Sequence, residues 1–251
     1  MAKRSALYAI ATPAPSSART LIEHAYTRLR DDIVSGQLVP GEKLRVEHLK
    51  ERYGVSAGTL REAITRLASD ALVVTEGQRG FRVAPITIED LEDITNLRVQ
   101  IETEALRQSI RAGDAQWRQR VEQAFAAISA EEPIAPGRRH AWEQLNTRFH
   151  EALLSGHASP WTVHVLRLLS RHTERYRSFA MALPGCVRDV HAEHTAIFEY
   201  TMAGQDARAA LALEAHIRTT PDLLIQALRE GRASLPGSAA PLLEGKGLQD
   251  S

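Results

Sequence analysis

The sequence has few of the residues that stabilise exported or membrane-embedded proteins. Its 251 residues include a single cysteine, Cys186, which excludes an internal disulfide framework and a thiolate zinc cluster. No apolar run approaches the roughly 18 residues that a membrane span needs. The first ten residues, MAKRSALYAI, lack the long apolar stretch of a secretory signal. These absences predict a cytoplasmic protein with no membrane partner.

The sequence also lacks a net charge, because 31 basic residues balance 31 acidic ones. The charges are unevenly distributed, however. Residues 1–85 contain 13 Lys or Arg against 9 Asp or Glu, and the remainder contains 18 against 22. A basic N-terminal third joined to an acidic remainder indicates a nucleic-acid-binding module on a separate domain.

Two segments without periodicity flank two predicted domains. Residues 1–16 and 232–251 are rich in small residues and proline, which predicts a disordered tail at one end and a flexible tail at the other. Pro85 biases the residue before it away from helix and marks the boundary between domains. We therefore expect an N-terminal domain over 17–85 and a second domain over 86–231.

The N-terminal domain has the pattern of a winged helix-turn-helix. Its first helix carries an apolar stripe at four-residue spacing, formed by Leu21, Ala25, Leu29 and Ile33. The other predicted elements are a helix over 46–53, a helix capped by Ser56, and strands over 71–75 and 81–83 joined by a glycine-containing turn. A recognition helix presents its N-terminal side chains to base edges, and a wing can reach phosphates or the minor groove. The candidate DNA contacts are Arg45, Ser56, Ala57, Gly58, Thr59, Arg61, Gln78, Arg79 and Gly80, with a solvated surface as the alternative.

This segment resembles the winged helix-turn-helix of GntR-family bacterial transcription regulators. The family's pattern is matched by Pro40-Gly41, Gly54-Val55-Ser56, Arg61-Glu62-Ala63 and Arg79-Gly80-Phe81. The family commonly has an arginine directly after the serine, where this chain has Ala57-Gly58. A glycine within a helix costs roughly 1 kcal/mol relative to alanine. The resemblance therefore implies that base recognition shifts toward Arg45, Thr59, Arg61 and the wing.

The second domain has almost wholly helical periodicity and is predicted to be an all-α bundle, so the fold class is mainly α. The predicted helices cover 87–112, 114–130, 139–155, 160–181, 187–203, 205–218 and 221–230. Asn146 and His150 share a helical face, and His194 and His216 lie in later helices. Three imidazoles and one oxygen could hold a first-row divalent metal. The alternative is that each histidine is a hydrogen-bonded core residue or a solvated one.

The domain resembles the helical FCD ligand-binding domain of FadR-type regulators. Metal-binding members of that branch use an Asp four residues before a His and two later histidines about 22 positions apart. Asn146, His150, His194 and His216 fall on this pattern. The resemblance implies a divalent metal, zinc or nickel. The amide of Asn146 in place of a carboxylate predicts weaker metal affinity.

Arginines in the helical domain are candidates for binding an effector. Arg98 shares a helical face with apolar residues, and the resemblance implies that it points inward and holds an effector carboxylate. Asn146, Arg175 and Arg177 are further candidates, and His191 could join the same pocket.

These observations predict a homodimeric, ligand-responsive transcription regulator. It would repress from a near-palindromic double-stranded DNA operator and release it when a small carboxylate binds. One alternative keeps this fold with a metal-free effector pocket. The other is a three-histidine metalloenzyme, which would need a general base beside the metal, and the sequence has no HExxH pairing.

Overall fold

The computed structural model describes residues 17–135, 137–157, 159–180, 188–233 and 235. The predicted tail over 1–16 and most of that over 232–251 lie outside the described residues, as does Cys186. The chain divides into two compact units, one through Ala84 and one from Pro85. No described helix is both long and apolar enough to cross a membrane.

The N-terminal unit is a winged helix-turn-helix. Its elements are α1 (Ser17–Val34), β1 (Lys43–Leu44), α2 (Val46–Tyr53), α3 (Ala57–Ser69), β2 (Val73–Thr75) and β3 (Phe81–Val83). The sheet has the order β1-β3-β2 with antiparallel pairing throughout. Strand β1 is absent from the sequence prediction because its two residues are too few to show an alternating pattern. The turn between β2 and β3 contains a short 3-10 helix over Gly77–Arg79.

Local sequence determines how the helices of this unit begin and end. Gly54 ends α2 in the left-handed conformation, at a φ of 65° that favours glycine. The Ser56 hydroxyl then caps α3 by accepting a hydrogen bond from the Thr59 N–H at 3.1 Å. Three of the four stripe residues on α1 are buried in the core, but Leu21 is 49% exposed.

The C-terminal unit consists of helices throughout its described residues. They are α4 (Ile88–Ala112), α5 (Ala115–Ser129), α6 (Arg139–Leu154), α7 (Pro160–Ala180), α8 (Val190–Met202) and α9 (Asp206–Arg229). Side chains of Thr87, Asp114 and Asp189 cap α4, α5 and α8. One core cluster, which includes Trp117 and Phe149, involves all of these helices except α7. A second cluster packs α7 against α4 and α9.

The prediction of separate helices over 205–218 and 221–230 is wrong, because α9 continues through Pro221. A proline cannot donate a backbone hydrogen bond within a helix, and for this reason a proline in the sequence predicts that the helix ends there. Leu213, Ile217 and Leu224 lie on one face on both sides of the proline and are all buried. Burial of that face therefore outweighs the lost hydrogen bond.

The turn after α6 packs directly on the backbone of α4 at Gly156. A Cβ atom built on Gly156 would lie 2.6 Å from the carbonyl oxygen of Ser109 and 2.9 Å from its Cα. The Ser109 hydroxyl fixes this contact by donating to the Leu154 carbonyl at 2.8 Å and accepting from the His157 N–H at 3.0 Å. This position therefore has no room for a side chain.

We expect Gly156→Ala to lower the free energy of unfolding by about 1–3 kcal/mol, because backbone atoms must move to admit the methyl group. Gly58→Ala is the control, since a Cβ at that helical site meets only the Ser56 hydroxyl at 3.8 Å. It should stabilise the protein by up to about 1 kcal/mol. Urea unfolding of both variants measures these changes, and a Gly156→Ala variant as stable as the wild type would contradict the packing argument.

Candidate functional site

Three histidines from three helices meet inside the C-terminal unit. His150 on α6, His194 on α8 and His216 on α9 each place a ring nitrogen within 4.8 Å of the other two. The Nε2 atoms of His150 and His216 are 3.2 Å apart. His194 is fully buried and His216 is 8% exposed. The histidines that the sequence singled out are therefore brought together by the fold.

A carboxylate lies behind each of these histidines, on the Nδ1 side of the ring. The contacts join His194 Nδ1 to Glu132 Oε1 at 2.8 Å, His216 Nδ1 to Glu193 Oε2 at 2.9 Å and His150 Nδ1 to Glu102 Oε2 at 3.4 Å. We name Glu102, Glu132 and Glu193 the outer carboxylates. Because an ionised carboxylate only accepts hydrogen bonds, we assign the imidazole proton to Nδ1 of His194 and His216. We place it on Nδ1 of His150 as well, although that atom makes no hydrogen bond among the described residues. The three Nε2 lone pairs are then left facing one another.

Two buried acceptor atoms in this region have no hydrogen-bond partner among the described residues. They are Nε2 of His194 and Oδ1 of Asn146, which lies one turn before His150 on α6 and is 5% exposed. Leaving buried acceptors unsatisfied, with two nitrogen lone pairs at 3.2 Å, costs free energy. A divalent cation would satisfy all of these atoms. The donor set of three imidazoles and one amide oxygen fits such an ion.

The electrostatics of the cluster favour the protonation states that a metal requires. Burial lowers the pKa of His150 and lowers that of His216 well below its ordinary value, so both imidazoles are neutral near pH 7. Burial alone would raise the pKa of Glu102, but Arg98 and His150 outweigh it and bring the pKa to about 2. Neutral imidazoles backed by ionised carboxylates are the form in which histidine binds metals.

Two arginines hold two of the outer carboxylates, Glu102 and Glu193, in place. Arg98 is buried, as the resemblance implied, and its Nε donates to Glu102 Oε1 at 2.7 Å. Arg188 grips both oxygens of Glu193, with Nε 2.8 Å from Oε1, and its Nη2 donates to the His216 carbonyl at 2.8 Å. Arg188 and the three outer carboxylates are not among the residues that the sequence pattern singled out. Their residue types are common on helix surfaces, and no spacing links them to the histidines.

The other effector candidates each lie in different surroundings. Arg177 pairs with Glu143 of α6, its Nε donating to Oε1 at 2.8 Å. Arg175 is 3% exposed, and burial lowers its pKa, while the charge of Asp90 opposes that shift. The His191 ring is half exposed, and its Nδ1 lies 3.2 Å from Glu132 Oε2. Arg98 therefore contacts an outer carboxylate from within the bundle and His191 contacts one from the surface side.

The N-terminal unit presents a second candidate surface at the start of α3 and at the wing. Arg45, Arg61 and Arg79 are exposed, and none forms a salt bridge within the described part of the chain. By contrast, other arginines of this unit pair with acids, as Arg52 does with Asp32 at 2.8 Å. Guanidinium groups without acidic partners are available to phosphates and base edges.

The other predicted DNA contacts lie around these arginines. Ser56 and Gly58 are exposed, and Ala57, Thr59 and Gly80 are partly exposed. The Ser56 hydroxyl is already engaged as the helix cap, 2.9 Å from the Thr59 hydroxyl. The side chain of Gln78 lies outside the described part of the structure.

Family models match both units of the chain. Residues 21–83 match the model of bacterial regulatory proteins of the gntR family, and residues 93–219 match the FCD domain. The chain belongs to the GntR family. Its C-terminal unit is an FCD domain. The family members are transcriptional regulators and not enzymes, which removes the three-histidine metalloenzyme as an interpretation.

The similarity to named relatives and to a solved structure covers most of this chain. It is 40% identical to the HTH-type transcriptional regulator BphR of Paraburkholderia xenovorans, over 87% of this chain and 91% of BphR. It is 28% identical to the HTH-type transcriptional repressor GlaR of Escherichia coli, over 81% and 95% of the two chains. The structure of E. coli McbR/YncC aligns with a TM-score of 0.68 at 17% identity, over 83% of this chain and 98% of that one, and so supports the fold.

We expect Glu102→Gln to lower the free energy of unfolding of the metal-free protein by roughly 3 kcal/mol at pH 7, because it leaves Arg98 buried without a counter-charge. Since the folded-state pKa of Glu102 is depressed to about 2 from 4.5, its stabilisation is present above pH 4.5 and declines as the pH falls toward 2. The difference in the free energy of unfolding between Glu102→Gln and wild type should therefore be constant between pH 7 and pH 5 and become smaller below pH 4.5.

Urea unfolding in the presence of a chelator, repeated at several pH values, measures this difference. Glu104→Gln is the control, because Glu104 is exposed on the same helix, and its effect should stay within about 0.5 kcal/mol. If Glu102→Gln lowers the free energy of unfolding by the same amount at every pH, the charge of Glu102 is not what stabilises the bundle.

Proposed function

We propose that this chain is a homodimeric repressor that binds a near-palindromic operator and responds to a small carboxylate held in its metal-binding helical domain. The observation that carries the proposal is the convergence of His150, His194 and His216, each backed by an outer carboxylate. Relatives that are repressors, such as GlaR, support repression and not activation. Because its target is chromosomal DNA, we place its action in the cytoplasm.

The exposed arginines of the winged unit carry the DNA-binding part of the proposal. Arg61 lies in the second turn of α3, and Arg45 is the residue that immediately precedes α2. Arg79 lies at the wing, next to Gly80, whose φ of 99° is a conformation that glycine readily adopts. Two copies of this unit in a dimer would read two half-sites of a palindrome, and their phosphate contacts would make the affinity depend on salt.

The helical unit carries the sensing part of the proposal. Asn146, His150, His194 and His216 would hold a divalent metal, zinc or nickel, which would supply a Lewis-acidic point for an effector carboxylate. The side chains of Arg98, Arg175 and Arg177 are the cationic candidates for holding that carboxylate, and Arg188 joins them through its contacts with Glu193 and His216. The effector regulates the protein only if it binds one arrangement of the dimer more tightly than another.

A metal-free effector pocket is the second candidate function. His216 Nδ1 lies 2.9 Å from Glu193 Oε2 and its Nε2 lies 3.2 Å from His150 Nε2, so this histidine can also satisfy its polar atoms with protein partners. In that case the histidines would hydrogen-bond the effector directly. Metal content distinguishes the two candidates.

We expect untagged protein to contain about one zinc or nickel ion per chain by elemental mass spectrometry, because a cation would satisfy the two unpartnered buried acceptors. His150→Ala should lose that metal. His140→Ala is the matched control, since His140 is exposed on the same helix and contacts Gln144. Protein that contains no metal even after incubation with Zn²⁺ or Ni²⁺ would favour the metal-free pocket.

We expect Arg61→Ala to weaken binding to DNA selected by the wild-type protein from random duplexes by roughly 10- to 100-fold, as loss of a base-contacting arginine does. Arg120→Ala removes the same charge from an exposed site on α5 and should leave DNA affinity unchanged. Fluorescence anisotropy at several salt concentrations measures both variants. Equal affinity for wild type and Arg61→Ala would show that α3 does not read this DNA.

A further inference from the structure

The four candidate metal ligands carry no charge of their own. An imidazole binds a metal through the lone pair of its neutral form, and the fourth donor is the amide of Asn146 and not a carboxylate. Among the described residues, the carboxylates that contact the three histidines are the outer carboxylates, which lie behind the rings. Arg98 and Arg188 each pair with one of them. The nearby pair of Arg177 and Glu143 adds no net charge.

A charge count follows from these pairs. Three outer carboxylates and two paired arginines leave one net negative charge around the ligand set. A divalent cation would bring the whole group to one net positive charge. In a buried site an unbalanced charge is costly and strongly attracts an ion of opposite sign. One external carboxylate would neutralise the group, whereas a second would leave an unbalanced negative charge.

We propose that Asn146 is the specificity-determining residue of this site: its neutral amide leaves the metal-loaded group with one uncompensated positive charge, so that the site selects a monocarboxylate. The proposal rests on the metal site proposed above. Asn146 suits this role because its buried Oδ1 has no partner among the described residues and can donate a lone pair without adding charge. A carboxylate at this position would supply internally the charge that the effector otherwise brings.

Asn146→Asp tests the proposal because it changes the charge with almost no change in shape. Cobalt-loaded protein, followed by its visible absorption and by calorimetry, is titrated with propanoate and malonate, which have three carbons and one or two carboxylates. We expect Asn146→Asp to bind Co²⁺ at least tenfold more tightly and propanoate at least tenfold more weakly than wild type. Malonate affinity should fall by a larger factor than propanoate affinity, since it brings two charges.

Gln144→Glu is the matched control, because it makes the same amide-to-carboxylate change at an exposed site on the same helix. It should leave the affinities for cobalt and for both acids within twofold of wild type. Thermal unfolding gives a readout independent of the acids: without metal, Asn146→Asp should unfold at a lower temperature than wild type, and Co²⁺ should reverse that order.

The outcomes separate this proposal from the one on which it rests. Wild-type protein that binds no Co²⁺ would overturn the metal site and this inference together. Wild-type protein that binds Co²⁺, with propanoate affinity unchanged by Asn146→Asp, would overturn this inference alone. A similar loss of propanoate affinity in Gln144→Glu would also overturn this inference, because the effect would then come from general electrostatics and not from the ligand position.

Discussion

The ionised Glu102, buried between Arg98 and His150, is the interaction on which the C-terminal unit depends. An isolated buried carboxylate would be neutralised by protonation, but the arginine on its own helix and the imidazole from α6 keep it charged. A carboxylate also faces each of the other two histidines, since Glu132 contacts His194 and Glu193 contacts His216. Through these contacts, polar groups on four helices and one loop fix a common centre.

This arrangement explains why a helical bundle tolerates so much polarity at its centre. The Nδ1 atoms of His194 and His216 hydrogen-bond carboxylates, and that of His150 lies 3.4 Å from one, so the carboxylates orient the rings before any ligand arrives. Core side chains lie directly beside the histidines along the chain, since Phe149 precedes His150 and Ile217 follows His216, and both are buried. Apolar packing therefore holds the helices together, and the ion pairs determine which atoms face the centre.

In the N-terminal unit, some arginines form ion pairs with acidic side chains and others are exposed. Arg52 and Arg66 are held by acids from α1, Asp32 and Glu23 respectively, and so help to fix the helices to one another. Arg61 has no such ion pair with any residue that the structure describes, and it lies on the exposed face of α3. Whether an arginine has an acidic partner depends on residues 20 to 43 positions away, and that information is not present in the local pattern.

The sequence alone determined the helices, the winged unit and the three histidines, because short-range rules govern them. Periodicity marks a buried face, and Ser56 and Thr87 mark helix starts that the structure confirms. Local rules were misleading at Pro221, where the burial of a face over several turns outweighs one lost hydrogen bond. Only the tertiary structure determined the outer carboxylates and Arg188, since their roles arise from side chains that meet across different helices and their residue types alone carry no signal of that meeting.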